Sequence, residues 1–226
     1  MKLTVLGSSS SGNCYLLDNG TSALLIEAGV QFQRVKETID FNIGRIAGCL
    51  VSHEHGDHAQ YANVVESYGI KVYRPGAGIA DKFTVGDFEV MALPVVHDVE
   101  TYAFLIRHDA MGTMFYLTDT HYCPFIVDGV NHFLVEANYD MNLLDENVHN
   151  GYLAAIVRER IIKSHMEIET TIGFLKANEL DEARTITLCH LSFGNANAND
   201  FITRVQAATG LPVKIARKGL TLDLSI

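Results

Sequence analysis

The chain has 226 residues and 48% of them are hydrophobic, so the composition predicts a folded protein with a substantial core. Its formal net charge is −10, from 17 basic and 27 acidic residues, which counts against a broad basic surface for nucleic acid. No apolar run reaches the roughly 18 residues of a membrane-spanning helix, and residues 1–6 are too short for the apolar part of a signal peptide. We therefore expect one domain over residues 1–226, in the cytoplasm and without membrane contact.

In chain order, short strands come first and helices mix with strands later. Strands precede helices within each half, which predicts an α/β (α+β) fold with two sheets sandwiched between helical layers. The predicted strands are 3–6, 14–17, 23–27, 46–52, 71–74, 88–96, 102–107, 113–117, 132–136, 185–189, 213–216 and 220–224. The predicted helices are 31–40, 57–68, 151–163, 166–179 and 199–209, the first of them only weakly indicated.

The four cysteines lie far apart in the sequence, with no CxxC pair among them. Disulfide frameworks need many cysteines in a short chain, and zinc ribbons need close pairs. The sequence therefore predicts reduced and mostly buried thiols at Cys14, Cys49, Cys123 and Cys189.

The segment HEHGDH follows a predicted buried strand and brings together residue types that bind borderline divalent metals. His53 and His55, two residues apart in extended backbone, point to the same side and suit one ion. Gly56 permits a tight turn, after which Asp57 and His58 open the next helix and suit a second ion. The pattern predicts a metal site at the carboxyl end of a sheet.

Three further candidate ligands, His97, Asp119 and His190, each follow a predicted strand. A lone histidine at the end of a strand is more often a structural residue than a ligand. The HEHGDH segment reverses that expectation, because two metals need more ligands than one segment supplies. These three residues are therefore predicted to complete the site.

This order of residues resembles the metallo-β-lactamase superfamily, whose signature is HxHxDH followed by a histidine, an aspartate and a last histidine. Further segments resemble its YycJ/WalJ branch, which is nearer to the tRNase Z and β-CASP nucleases than to antibiotic-degrading enzymes. Those segments are 7–14, 117–120, 135–140, 160–161 ahead of His165, and 190–192. The resemblance implies a metal-dependent hydrolase with a four-layer αββα fold.

The resemblance also implies two divalent ions, with zinc, manganese and iron left open by the donor types. Asp119 would bridge the ions together with a water or hydroxide, and that hydroxide would attack the substrate. Asp57 and Asp119 are thus candidate catalytic residues as well as ligands. The implied ligands are His53, His55 and His97 for one ion, and Asp57, His58 and His190 for the other.

His165 matches the extra histidine of the phosphodiesterase branches, which implies that it clamps a phosphate and protonates the leaving group. It is predicted to open a helix, whose N-terminus favours phosphate. The family usually shows Gly-His here, whereas this chain has Ser164-His165, so the shape of the pocket is open. Glu136 is either a carboxylate that orients His165 or an ordinary structural residue.

Weaker features flank this site. The loop 8–13 either lines the metals or is only a tight turn, and His121 is placed at the rim of the pocket. Asn195, Asn197 and Asn199 either contact substrate or cap the next helix. The remaining histidines are predicted to face solvent: His108, His132 and His149.

The leading functional hypothesis is a phosphodiesterase, most simply a DNA-exonuclease-like nuclease acting on single-stranded nucleic acid or nucleotides. The alternative is a small-molecule hydrolase of the lactonase, thioesterase or β-lactamase type, since the same metals activate water toward a carbonyl carbon. His165 discriminates between the two, because carbonyl hydrolysis has less need of an imidazole at a phosphate position. A non-catalytic module is disfavoured, because such modules typically lose ligands.

Overall fold

The strands of the protein lie in two sheets, in a computed structural model that describes residues 1–76 and 80–226. Some strands in the first half of the chain are buried along their whole length. Their sequences are nearly continuous apolar runs, because both faces of each strand are covered. In the described residues the strands are β1 (Lys2–Gly7), β2 (Cys14–Asp18), β3 (Ala23–Ile26), β4 (Ile46–Leu50), β5 (Val72–Tyr73), β6 (Asp81–Val85), β7 (Phe88–Val95), β8 (Thr101–His108), β9 (Gly112–Leu117), β10 (His132–Glu136), β11 (Thr185–Cys189), β12 (Val213–Ile215) and β13 (Thr221–Asp223).

The helices lie mostly in the second half of the chain, and a short 3₁₀ turn at Ile43–Arg45 precedes β4. Side chains cap three of the later helices, as with Asn197, whose side chain accepts from the backbone N–H groups of Asn199 and Asp200. In the described residues the α-helices are α1 (Phe32–Thr38), α2 (Gly56–Ala59), α3 (Ala62–Ser67), α4 (Met141–His149), α5 (Ala155–Ser164), α6 (Ile168–Ala177) and α7 (Ala198–Thr209).

Within the described residues, the first sheet has the order β13-β1-β2-β3-β4-β5 and the second β12-β11-β10-β9-β8-β7-β6. One apolar cluster, rich in aromatic rings such as Tyr15, Phe104 and Tyr116, fills the space between the sheets. A second cluster packs α6 and α7 on the second sheet, and a third packs α1 and α3 on the first. The predicted αββα sandwich is therefore confirmed.

The sheet topology collects strand ends at one edge of the molecule. β3 and β4 are parallel, and so are β9, β10, β11 and β12. β7 and β9 both pair antiparallel with β8, so they also run in the same direction. Loops that follow these strands meet at their carboxyl ends, where binding sites of open α/β sheets usually form.

The structure corrects several predicted elements. The helix expected at 57–68 is two short helices, because the chain bends at Gln60 and Tyr61. The stretch 141–180 holds three helices in place of two, and β6 was not predicted at all. Many polar residues in α4 and in β6 hide the apolar periodicity that would have indicated them.

All four cysteines lie in the described part of the chain, and each is buried as a free thiol, as predicted. Burial raises the pKa of Cys14 and Cys49, so both thiols stay protonated. Within residues 1–76 and 80–226, no helix is long and apolar enough to cross a membrane.

Candidate metal centre

The loop after β4 positions the first group of polar side chains. His53 is buried, and its Nδ1 lies 2.9 Å from the hydroxyl oxygen of Ser52. His55 precedes α2, the single-turn helix that carries Asp57 and His58. The turn from extended backbone into this helix brings the four side chains close together beyond the end of β4.

His53, His55, His97 and Asp119 form the first cluster, with one candidate ligand atom from each within 4.8 Å of the others. His97 Nε2 lies 3.3 Å from His55 Nδ1, and His53 Nε2 lies 3.5 Å from Asp119 Oδ2. Two residues from the motif thus meet one residue after β7 and one after β9. This set matches the ligands expected for one of the two ions.

Asp57, His58, Asp119 and His190 form the second cluster by the same measure. Asp57 Oδ2 lies 3.3 Å from His58 Nε2 and 3.2 Å from His190 Nε2. Asp119 Oδ2 lies 3.5 Å from His58 Nε2 and belongs to both clusters. Asp119 is therefore the carboxylate common to both clusters, the residue that the resemblance implied as the bridging ligand.

The donor atoms of this centre fit divalent cations. His53 Nε2 is buried and makes no hydrogen bond within the described residues, although it faces Asp119. A buried ring nitrogen without a partner is costly unless something binds its lone pair or its proton. Imidazole nitrogens beside carboxylate oxygens are the donor set that zinc, manganese and iron accept.

The electrostatics of the centre divide its histidines into two kinds. Burial lowers the pKa of His53 to about 2 and also lowers the pKa of His97, which leaves both rings neutral. Burial opposes charge on His58 and His190 as well, but Asp119 and neighbouring carboxylates outweigh it. The pKa of His58 is therefore raised well above its usual value, and that of His190 is raised to about 10. The carboxylates thus attract positive charge, which a metal supplies when it displaces protons.

Two fully buried carboxylates stand behind the clusters. Glu27, directly after β3, lies 3.5 Å from His58 Nδ1 and accepts from the backbone N–H of Ser52. Glu136, at the end of β10, lies 2.8 Å from His165 Nδ1 and 3.1 Å from His190 Nδ1. Carboxylates in such positions fix the orientation and tautomer of a histidine.

Glu136 therefore orients His165, one of the two readings that the sequence left open. Glu27 was not predicted, because a single glutamate at the end of an apolar strand matches no motif. A glutamate directly before Ala28-Gly29 was the one available signal.

His165 lies beside the second cluster, but the local structure differs from the prediction. It follows the last turn of α5, and Glu167 caps α6. His165 therefore does not open a helix, and the argument from a helix N-terminus was wrong. Its ring stacks on His190 with 5.2 Å between centroids, and Glu136 raises its pKa against the opposing effect of burial.

The loop between β1 and β2 contacts the centre, so the loop 8–13 is both a strand connection and a wall of the site. The hydroxyl of Ser8 accepts a hydrogen bond from the backbone N–H of His190. Asn13 Nδ2 lies 3.3 Å from Asp57 Oδ2 and 3.0 Å from His58 Nε2. Gly29 completes this contact, since a Cβ there would lie 1.7 Å from the carbonyl oxygen of Asp57.

Three residues at these strand ends have left-handed backbone conformations that non-glycine residues rarely adopt. The φ angles are 68° at Glu27, 47° at Asp119 and 52° at His190. Each such residue costs about 1–2 kcal/mol, and strain of this kind concentrates at functional sites.

The remaining predictions have mixed outcomes. His108 and His132 were predicted to face solvent, but both are buried, at 8% and 2% exposure. His132 Nε2 donates to the carbonyl of Leu224, a contact that only the folded chain creates. His149 is exposed as predicted.

Two other surface predictions concern the rim of the site. His121 is exposed, and its place at the pocket rim stays a prediction. Asn197 caps α7, and Asn195 accepts from the side chain of Asn147, so both have structural contacts.

A cavity of about 280 Å³ opens beside His165 and His190. Arg160 lines it, together with Ser10 and Ser192. The cavity therefore offers hydroxyls, one guanidinium and the imidazole of His165 to a molecule that approaches His190 and the metal clusters.

The comparisons with known proteins agree with this geometry. The family model described as the metallo-beta-lactamase superfamily matches residues 9–121, which is half of the chain. The exodeoxyribonuclease YycJ of Bacillus anthracis is 26% identical over 225 residues, covering 86% of this chain and 84% of the relative. The exodeoxyribonuclease WalJ of Streptococcus pneumoniae is 26% identical over 227 residues, covering 86% and 82%.

Solved structures share the fold at lower identity. The metallo-beta-lactamase fold protein YhfI of Bacillus subtilis has a TM-score of 0.71 at 18% identity, covering 98% of both chains. The short form of human tRNase Z has a TM-score of 0.65 at 16% identity, covering 100% of both. The matched family model, together with the two His and Asp clusters, decides the assignment: this chain belongs to the metallo-β-lactamase superfamily and is a metal-dependent hydrolase.

Proposed function

We propose that this protein is a dinuclear phosphodiesterase that cleaves single-stranded nucleic acid, with DNA as its first candidate substrate. The observation that carries the proposal is the His165–Glu136 pair, which lies against the second cluster on the side of the small cavity. The names of the two curated relatives, both exodeoxyribonucleases, support it.

The two clusters support the ligand sets that the resemblance implied. His53, His55 and His97 would hold one ion, whereas Asp57, His58 and His190 would hold the other, and Asp119 would contribute to both. Two divalent ions supply an activated water and neutralise charge on phosphate oxygens. Zinc, manganese and iron all suit these donors.

The protein's own residues supply the remaining chemistry. Glu136 accepts from His165 Nδ1, which leaves Nε2 of that ring as the atom that binds a phosphate oxygen. A proton on Nε2 is then available to the leaving oxygen, as general acid catalysis requires. Arg160, which lines the same cavity, offsets negative charge on the substrate.

The test measures metal content and cleavage together. Metal-free protein is reloaded with zinc or manganese, its metal stoichiometry is determined, and it is assayed on bis-p-nitrophenyl phosphate and end-labelled single-stranded DNA. We expect two ions per chain, cleavage of both substrates, and a loss in His165→Ala of about a hundredfold in kcat with metal retained. His149→Ala is the matched control, because His149 is an exposed histidine outside the clusters.

The alternative activity predicts a different outcome. Turnover of a lactone or thioester by the metal-loaded protein, with neither phosphodiester cleaved, would overturn the phosphodiesterase proposal. A single bound ion would overturn the dinuclear assignment while leaving the hydrolase in place.

A further inference from the structure

A groove of about 910 Å³ adjoins the small cavity beside His165. Its walls are the loop after β1, the segment that follows His190, one face of α7, and the residues from β12 to β13. Leu191 and Ser192 line both the groove and the cavity, so the two spaces adjoin along this segment. Ser8, another wall residue, bonds the backbone of His190 and fixes the groove against the second cluster.

The charge of the groove is opposite to that of the whole chain. Arg34, Lys214, Arg217 and Lys218 line it, and no aspartate or glutamate of the described residues does. All four side chains belong to exposed residues, and none forms an ion pair with another described residue. In a protein of net charge −10, four free cations along one groove indicate a polyanionic occupant. We call this groove, with its four cationic side chains, the basic groove.

Other wall residues suit a single strand of nucleic acid. Phe193 is 107% exposed, so its ring lies fully in solvent at the groove. An exposed aromatic ring beside cations is the arrangement by which proteins stack unpaired bases without reading sequence. Ser9, Ser11 and Asn199 add hydrogen-bonding groups for phosphate and sugar oxygens.

We infer that the basic groove binds the part of a single-stranded polynucleotide that lies beyond the scissile phosphate. Lys214, Arg217, Lys218 and Arg34 contact successive phosphates, and Phe193 stacks on a base. This inference rests on the proposed function. It adds a binding site for the rest of the strand, on the β12 side of the metal centre. It also reconciles an acidic protein with a nucleic acid substrate, because the positive charge is concentrated where the strand lies.

The experiment compares a groove variant with a variant of equal charge. Lys214→Ala/Arg217→Ala/Lys218→Ala is set against Lys82→Ala/Arg107→Ala/Lys176→Ala, three exposed cations that do not line the groove. Fluorescence anisotropy measures binding of a cleavage-resistant phosphorothioate oligothymidylate of about 12 nucleotides to the metal-loaded protein over a range of salt concentrations. Each metal-loaded variant is also assayed on bis-p-nitrophenyl phosphate, which is too small to extend from the metal clusters along the groove.

The groove variant is expected to bind the oligonucleotide at least about tenfold more weakly, with a salt slope smaller by about 2, since each phosphate contact on a single strand contributes about 0.7. The control variant should keep the wild-type slope, and both should hydrolyse the small ester at the wild-type rate. Phe193→Ala should weaken binding by about five- to tenfold without changing the slope, because stacking is not ionic.

Equal loss of affinity in the groove and control variants would overturn the groove and assign the effect to net charge. Wild-type protein that cleaves the small ester but does not bind the oligonucleotide would overturn the groove while the phosphodiesterase stands. Binding that depends on the groove in a protein without phosphodiester cleavage would support the groove and contradict the proposed function. Tighter binding of polyglutamate than of the oligonucleotide would overturn a nucleic acid occupant.

Discussion

The two sheets deliver their metal-binding side chains in different ways. The first sheet places His53, His55, Asp57 and His58 in one loop and one short helix after β4. The second sheet supplies its side chains singly, after β7, β9 and β11, strands that are far apart in the sequence. Because Asp119 belongs to both clusters, neither sheet completes a metal site alone. The comparison teaches that the centre depends on how the sheets face each other as much as on the motif.

Asp119→Ala breaks this arrangement most severely, because it removes the one carboxylate that both clusters share. We expect metal content to fall and kcat/KM on bis-p-nitrophenyl phosphate to drop by at least about a thousandfold. Asp98→Ala is the matched control, since Asp98 Oδ1 lies 3.1 Å from His97 Nε2 yet is half exposed. Loss of activity in the control as large as in Asp119→Ala would contradict the special position of Asp119.

Gly29→Ala tests the loop of the first sheet without replacing a ligand side chain. The added Cβ would overlap the carbonyl oxygen of Asp57, so the loop must shift, and we expect the free energy of unfolding to fall by about 3 kcal/mol. Gly173→Ala is the control, because a Cβ there meets no atom within 4 Å and alanine favours the interior of α6. Urea denaturation of the metal-free variants measures the free energy of unfolding of each. Equal free energies of unfolding would show that the loop accommodates the added Cβ without cost.

The two buried carboxylates sharpen the comparison, since each sheet contributes one. Glu27→Gln should weaken metal binding by about ten- to a hundredfold, because Glu27 orients only the ligand His58. Glu136→Gln should lower kcat by a similar factor, because Glu136 also orients His165. Metal titration and steady-state kinetics separate the two effects, and identical profiles for both variants would contradict different roles.

His132 lies at the start of β10, whereas Glu136 lies at the end of the same strand. Of the proposed substitutions, that of His132 is expected to have the smallest effect. Burial lowers the pKa of folded His132 from 6.5, so the unfolded chain binds a proton more readily as pH decreases through that value. Its contribution to stability is thus full above pH 6.5 and is lost below it. His132→Gln should flatten the pH dependence of the unfolding free energy between about pH 7 and 5, and an unchanged profile would contradict this assignment.

The HEHGDH segment could be predicted because its ligands are adjacent in the chain, and spacing alone gives their directions. His97, Asp119 and His190 could be predicted only because the HEHGDH segment needs further ligands and each of the three follows a strand; their division between two ions came from the order of a known family. Glu27 was missed because nothing local separates it from a structural residue. It acts on His58 only after β3 and β4 pair in parallel.

Contacts between residues far apart in the sequence also explain the predictions that were wrong. His108 and His132 were predicted to face solvent, yet His108 Nε2 lies 3.0 Å from Asp87 Oδ2 and His132 bonds Leu224. These partners are distant in sequence, so a lone histidine gives no sign of them. His165 was placed at the start of a helix because the helix predicted at 166–179 begins only at Ile168 in the structure, with Glu167 as its cap.

The left-handed conformations of Asp119 and His190 affect the lifetime of the metal-free protein. Without an ion, only hydrogen bonds and packing hold these two buried residues, each of which gains about 1–2 kcal/mol by relaxing. Residues 118–120 and 190–192 should then open locally more often than the strands that precede them, and their amides should exchange with solvent sooner. Metal supply would thus affect proteolysis as well as turnover, because local opening would expose these two buried or half-buried segments to a protease in a chain that had not yet acquired its ions.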